Sequence, residues 1–107
     1  MDIASLEKMI AKGQDSAMLR LTLARLLAQT QQWDKAARHL NSALAQDPGY
    51  SAAWKELGHA YRSMGQTDAA LGAWQKGIEV ARSKGDKQAE KEMRVFLRRL
   101  LKTQTGT

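Results

Sequence analysis

The sequence predicts an all-α fold: a right-handed superhelical stack of antiparallel helix hairpins, about six helices in all. Three observations lead there. Apolar residues recur with helical periodicity along the chain, and the alternation of a strand is nowhere sustained. Turn-forming clusters break that pattern at short, regular intervals. A shift of 34 residues superimposes one half of the central region on the other. Composition agrees. The 107 residues are enough for one domain, and 43% hydrophobic with 26% charged residues is ordinary for a globular chain. One proline and eight glycines are too few turn-makers for a sandwich of many short strands.

The first segment, residues 2–12, places Leu6, Met9 and Ile10 on one side and ends near Gly13. Residues 16–29 follow, with Asp15 or Ser16 as the cap that accepts a free amide at the helix start. Thr30-Gln31-Gln32 separates them from residues 33–46, where Asp34 sits in the first turn and meets the positive end of the helix dipole. Asp47-Pro48-Gly49 ends that segment, because proline cannot continue a helix and glycine accepts positive φ. Ser51 is expected to cap residues 51–64, which close at Gly65. Residues 67–82 begin beside Asp68 and end before Ser83-Lys84-Gly85-Asp86. Residues 86–102 carry Ala89, Met93, Phe96, Leu97 and Leu100 on one stripe, as a terminal helix that closes a stack must. Residues 103–107 are expected to be a disordered tail. Connections this short hold neighbouring helices antiparallel.

The 34-residue shift lays residues 17–50 on 51–84. Leu23 falls on Leu57, Ala24 on Gly58, Leu27 on Tyr61, Ala36 on Ala70, Leu40 on Trp74 and Leu44 on Ile78. Within the second copy, Trp54-x-x-Leu57-Gly58-x-x-Tyr61 followed by Ala70-x-x-x-Trp74 resembles the tetratricopeptide repeat signature. Trp74 replaces the signature's phenylalanine, Gly77 its alanine, and Arg82 stands where proline is expected. In the first copy Pro48 occupies the proline place, but Arg20 replaces the tryptophan and Leu27 the tyrosine. The two copies cover about two thirds of the chain. Small residues at Gly58 and Ala24 mark the closest helix approach, and Trp54, Tyr61 and Trp74 fill the space beside them. Running the register backwards puts Leu6, Met9 and Ile10 at the places of Leu40, Ala43 and Leu44. Residues 2–12 therefore read as the second helix of an incomplete leading repeat.

Resemblance to this family implies a concave groove, lined by the first helix of each hairpin, that binds an extended peptide or a helix of a partner protein. The candidates in that groove are Thr22, Arg25 and Gln29 on one helix and Glu56, His59 and Ser63 on the next. The terminal helix adds Met93, with Glu90 and Leu97 beside it, on the far wall. Arg25, His59 and Arg62 favour an acidic ligand and Glu56 opposes one. The lysine and asparagine set with which some members grip a chaperone's C-terminal carboxylate does not assemble: Asn41 is on a second helix, and Lys55 stands alone.

Charge supplies the alternative. Residues 1–80 carry 9 basic and 8 acidic side chains, whereas residues 81–107 carry 8 basic against 3 acidic, so nearly all of the net +6 lies at the end. Arg94, Arg98, Arg99 and Lys102 form a basic patch suited to an acidic surface or a nucleic acid. Its only aromatic, Phe96, is spaced to point inward, which leaves no stacking platform and disfavours nucleic acid. Catalysis finds no constellation. There is no cysteine, phosphate loop, His-Glu-x-x-His pattern or nucleophile elbow, and the two histidines fall on different faces. The expectation is a non-catalytic binding protein with no metal and no cofactor, acting as a monomer or weak homodimer. With no apolar run long enough for a membrane span and no basic, apolar leader, a cytoplasmic location follows by default.

Overall fold

A computed structural model describes residues 1–104, and within them it contains six α-helices and no strand. They are α1 (Ile3–Ala11), α2 (Ala17–Gln29), α3 (Trp33–Gln46), α4 (Ser51–Ser63), α5 (Thr67–Lys84) and α6 (Lys87–Gln104). Each packs on the next in chain order, as short connections require. Two further contacts decide the shape: α2 touches α4 and α4 touches α6, while α1, α3 and α5 do not touch one another. The even-numbered helices thus form a continuous inner layer and the odd-numbered ones a splayed outer layer. The stack curves around its even-numbered face.

Burial of the repeated small and large residues holds the layers together. Leu23, Leu27, Leu40 and Leu57 are fully buried, as are Trp74 and Leu6. Each contributes about 1.5–3 kcal/mol by leaving water. In the second hairpin the pivotal contact is Gly58 against Trp74. A Cβ on Gly58 would overlap the indole ring, so only glycine lets the tryptophan lie flat on α4. From that position Trp74 Nε1 donates to the Lys55 carbonyl at 3.1 Å. Gly77 acts in the same way in the next layer: a Cβ there would meet the Met93 sulfur and stand 2.8 Å from Trp54 Cβ. This explains why glycine replaces the signature's alanine.

The helix ends follow local chemistry, with one correction. Ser16 caps α2 by accepting from Leu19 N at 3.1 Å. Asp15 instead meets Arg20 in a two-bond pair of 2.6 and 2.8 Å. Ser51, expected as a cap, is the first residue of α4. It is buried, and its hydroxyl donates to Asp86 Oδ2 at 3.1 Å. Asp86 at the same time accepts from Ala89 N through Oδ1, so one carboxylate caps α6 and ties its start to that of α4.

The 34-residue register does not run to the end of the chain. Thr67 lies 34 residues after Trp33, but Lys84 lies 38 after Gln46, and Lys87 lies 36 after Ser51. With Arg82 in the place of proline nothing stops α5, which gains a turn. Lys84 in that turn reaches back to donate to the Gly49 carbonyl at 2.7 Å. Gly85, in the left-handed region at φ 73°, then ends the helix. Helix α6 also outlasts its expected end at residue 102. Thr103 and Gln104, assigned above to a tail, are helical, and Thr103 Oγ1 donates to the Arg99 carbonyl at 2.9 Å. The rest of the expected tail, residues 105–107, lies outside the described residues.

Candidate functional site

The inner layer presents α2, α4 and α6 side by side. On α2, Thr22, Arg25 and Gln29 are exposed. The Thr22 hydroxyl is turned back onto its own helix, donating to the Met18 carbonyl at 3.0 Å. On α4, Ser63 is exposed, and Glu56 and His59 are partly covered. These six occupy equivalent places on two neighbouring helices, since each pair is related by 34 residues.

The third helix departs from expectation. At a spacing of 34, Glu90, Met93 and Leu97 would continue the rows of Glu56, His59 and Ser63. At the observed offset of 36 those rows fall on Glu92, Val95 and Arg99. Met93 is accordingly not a groove residue: it is 0% exposed and fills the space over Gly77, at the register place of Leu57. Glu90 turns away too, bonding Arg94 at 2.8 Å and lying 3.5 Å from Arg82 of α5. Leu97 packs against the α5–α6 core. Glu92 does face α4, where it pairs with Lys55 at 3.2 Å, so Lys55 is already neutralised.

His59 is not a solvated groove side chain. Its ring stands edge-on to Trp74, centroids 5.3 Å apart, and to Phe96 of α6 at 4.6 Å. The three rings close into one cluster, with Trp74 and Phe96 5.6 Å apart. Burial pushes the His59 imidazole below its ordinary pKa. The positive charges of Arg62 and Lys55 add to that shift, and Glu56 and Glu92 oppose it. His59 is therefore neutral at pH 7. Beside the cluster lies a cavity of about 170 Å³ between α4 and α6. Trp74, Phe96 and Leu100 line it. Arg62 and His59 of α4 and Arg99 and Thr103 of α6 complete its lining, with both arginines exposed.

The basic patch is divided by this geometry. Arg94 is engaged by Glu90, through bonds of 2.8 and 3.0 Å. Arg99 lines the cavity and also a second hollow on α6, which it shares with Val95, Arg98 and Lys102. His39 lies on the other layer, where its Nδ1 accepts from Arg20 at 3.0 Å. Its pKa is lowered by burial first and by Arg20 next. The two histidines thus share no site, and among the described residues no three metal-ligating side chains gather. No described helix is long and apolar enough to cross a membrane. Sequence reasoning missed Arg99 as a partner of His59 and Arg62. The signal was present in Arg82, whose departure from proline announces the longer α5.

Comparison with known proteins places this arrangement. Family profiles described as tetratricopeptide repeat match residues 17–60 and 53–88. The TPR repeat-containing protein PA0015 of Pseudomonas aeruginosa is 48% identical over 105 residues, spanning 98% of this chain and 100% of that protein. The solution structure of protein BPP2914 from Bordetella parapertussis superimposes with a TM-score of 0.83 at 44% identity, over 94% of this chain and 88% of the other. A tetratricopeptide repeat domain protein from Salinibacter ruber shares the fold, with a TM-score of 0.75 at 24% identity over 80% and 87% of the two chains.

Proposed function

This chain belongs to the tetratricopeptide repeat family, and from that premise we propose that its inner face binds an extended peptide or a helix of a partner protein. Domains of the family are in general protein–protein interaction modules and are generally non-catalytic. The finer reading, a non-catalytic chain that uses this groove, is supported by one observation above all. Helix α6 extends the even-numbered layer instead of lying across it, touching α4 along its edge and packing mainly on α5. Thr22, Arg25, Gln29 and Ser63 consequently keep solvent in front of them. Affinity would come from apolar contact and a few charge-assisted bonds.

The outer side of α6 favours a stack that stops there. At the offset of 36, Arg94 stands at the place of Gly58, where an added hairpin would need a small residue. Its guanidinium is held there by Glu90. That supports a monomer over end-to-end association. The basic helix as a nucleic-acid surface draws no comparable support: Arg94, one of its four cations, is already taken up by Glu90.

Photo-crosslinking tests the groove. A crosslinking residue at Gln29 or Ser63 is expected to capture a protein partner from native extract, and the same residue at Gln75, exposed on α5, is expected to capture none. Equal capture from both faces, or capture from Gln75 alone, refutes the reading.

A further inference from the structure

In the cavity between α4 and α6, unspent charge and apolar side chains coincide. Arg62 and Arg99 are exposed, and neither guanidinium enters an ion pair or side-chain hydrogen bond among the described residues. Among the described residues no carboxylate lines the cavity. The acids nearest in sequence are accounted for elsewhere, Glu92 by Lys55 and Glu90 by Arg94. Glu56, one turn before His59, lies outside the lining. His59 adds no charge at neutral pH, so the two arginines set the field, reinforced by the basic excess of residues 81–107.

Size narrows the occupant. About 170 Å³ is well below the roughly 300–1,000 Å³ of sites that enclose a cofactor or a drug-sized molecule. It suits one side chain. Phe96 and Leu100, half-buried beside the enclosed Trp74, offer contact to methylene groups, and guanidiniums on opposing helices offer paired donors to a planar carboxylate. A phosphate backbone would instead need a continuous track of free cations, and Arg94, at one end of the basic run, is taken up by Glu90.

Resting on the groove reading above, we propose that this cavity is its specificity pocket. It receives a glutamate or aspartate of an acidic partner segment, the carboxylate held between Arg62 and Arg99 and the stem lying on Phe96 and Leu100. An apolar residue next to that acid then covers the exposed edge of Leu100.

Random peptides displayed on phage and selected on the intact chain test this. Enriched sequences are expected to carry an acid beside an aliphatic or aromatic residue. Arg62→Gln and Arg99→Gln are each expected to weaken the selected peptide about tenfold, the loss of one charge-assisted contact. Lys76→Gln, which removes the same charge from the outer layer, should change it less than about twofold. The Trp74 indole proton resonance checks that each variant stays folded. Enrichment without acids, or the same acid preference in the Arg62→Gln/Arg99→Gln variant, overturns the proposal. Peptides that lack acids but are lost on Arg25→Ala would leave the groove reading standing and remove only the pocket. Failure to enrich any peptide removes both. A random single-stranded oligonucleotide that displaces the peptide through the same two arginines also overturns it.

Discussion

The two hairpins share one register with volume divided differently between facing helices. In the first, Ala24 of α2 faces Leu40 of α3. In the second, Gly58 of α4 faces Trp74 of α5, and the removal of one methyl makes room for an indole. The first closes its α2 with Gln31 at φ 60°, where the second has Gly65 at φ 76°. The first puts Arg20, bound to Asp15 and His39, where the second has Trp54. Between the two copies, the small and the large residue at these places thus change together. The second hairpin is the more committed of the two, because its tryptophan tolerates no Cβ opposite.

The largest effect should come from breaking that commitment. Gly58→Ala is expected to destabilise by about 3 kcal/mol through overpacking against a buried ring that cannot swing away. Trp74→Leu should cost a similar amount through the cavity it leaves. The double variant recreates the first hairpin's pair and should recover at least half of the summed loss. A double-mutant cycle in urea reads this directly, and strict additivity would refute the compensating-pair account.

Next in size is Arg82→Pro, which gives the second hairpin the first one's punctuation. Proline inside the extended α5 forfeits a helix bond and should cost about 3 kcal/mol or somewhat less, near a helix end. If stability were unchanged, the last turn of α5 would carry no structural weight.

Acid should weaken both hairpins, the second more. His39 and His59 have pKa values lowered by burial, so the unfolded chain binds more protons than the folded one. Their contribution is whole above the ordinary value of 6.5 and is lost as pH falls from there through the depressed folded values. His59→Gln should flatten the fall in thermal midpoint between pH 7 and 5 more than His39→Gln does, since His59 is enclosed by two rings. Equal slopes in the parent and the His59 variant would contradict this.

The smallest effect sharpens the comparison at the turns. Gln31→Gly is expected to stabilise by a few tenths of a kcal/mol up to about 1, by relieving a left-handed backbone at a residue with a Cβ. Gly65→Ala should destabilise by about the same amount. Urea midpoints measure both, and a destabilising Gln31→Gly would mean that its side chain matters more than its backbone.

Legibility in the sequence varied by region. The Ala24–Leu40 and Gly58–Trp74 layers were readable because a 34-residue shift aligns small with small and large with large. The role of Pro48 was readable because proline acts locally. Ser51 was misplaced because its hydroxyl answers to Asp86, 35 residues away, and not to its own helix. Of the groove candidates, Thr22, Arg25, Gln29 and Ser63 are exposed, and His59 lies in a ring cluster that needs Phe96 from another helix.

By itself the sequence determined six helices, their antiparallel succession and which residues face one another inside each hairpin, since those depend on local periodicity and short loops. Tertiary structure alone decided how α6 is turned. Its apolar stripe was evident, but a slip of two residues rotates a helix by about 200°, and only packing against Gly77 and Trp74 selects among rotations. That selection buries Met93 and brings Arg99 to the cavity beside His59.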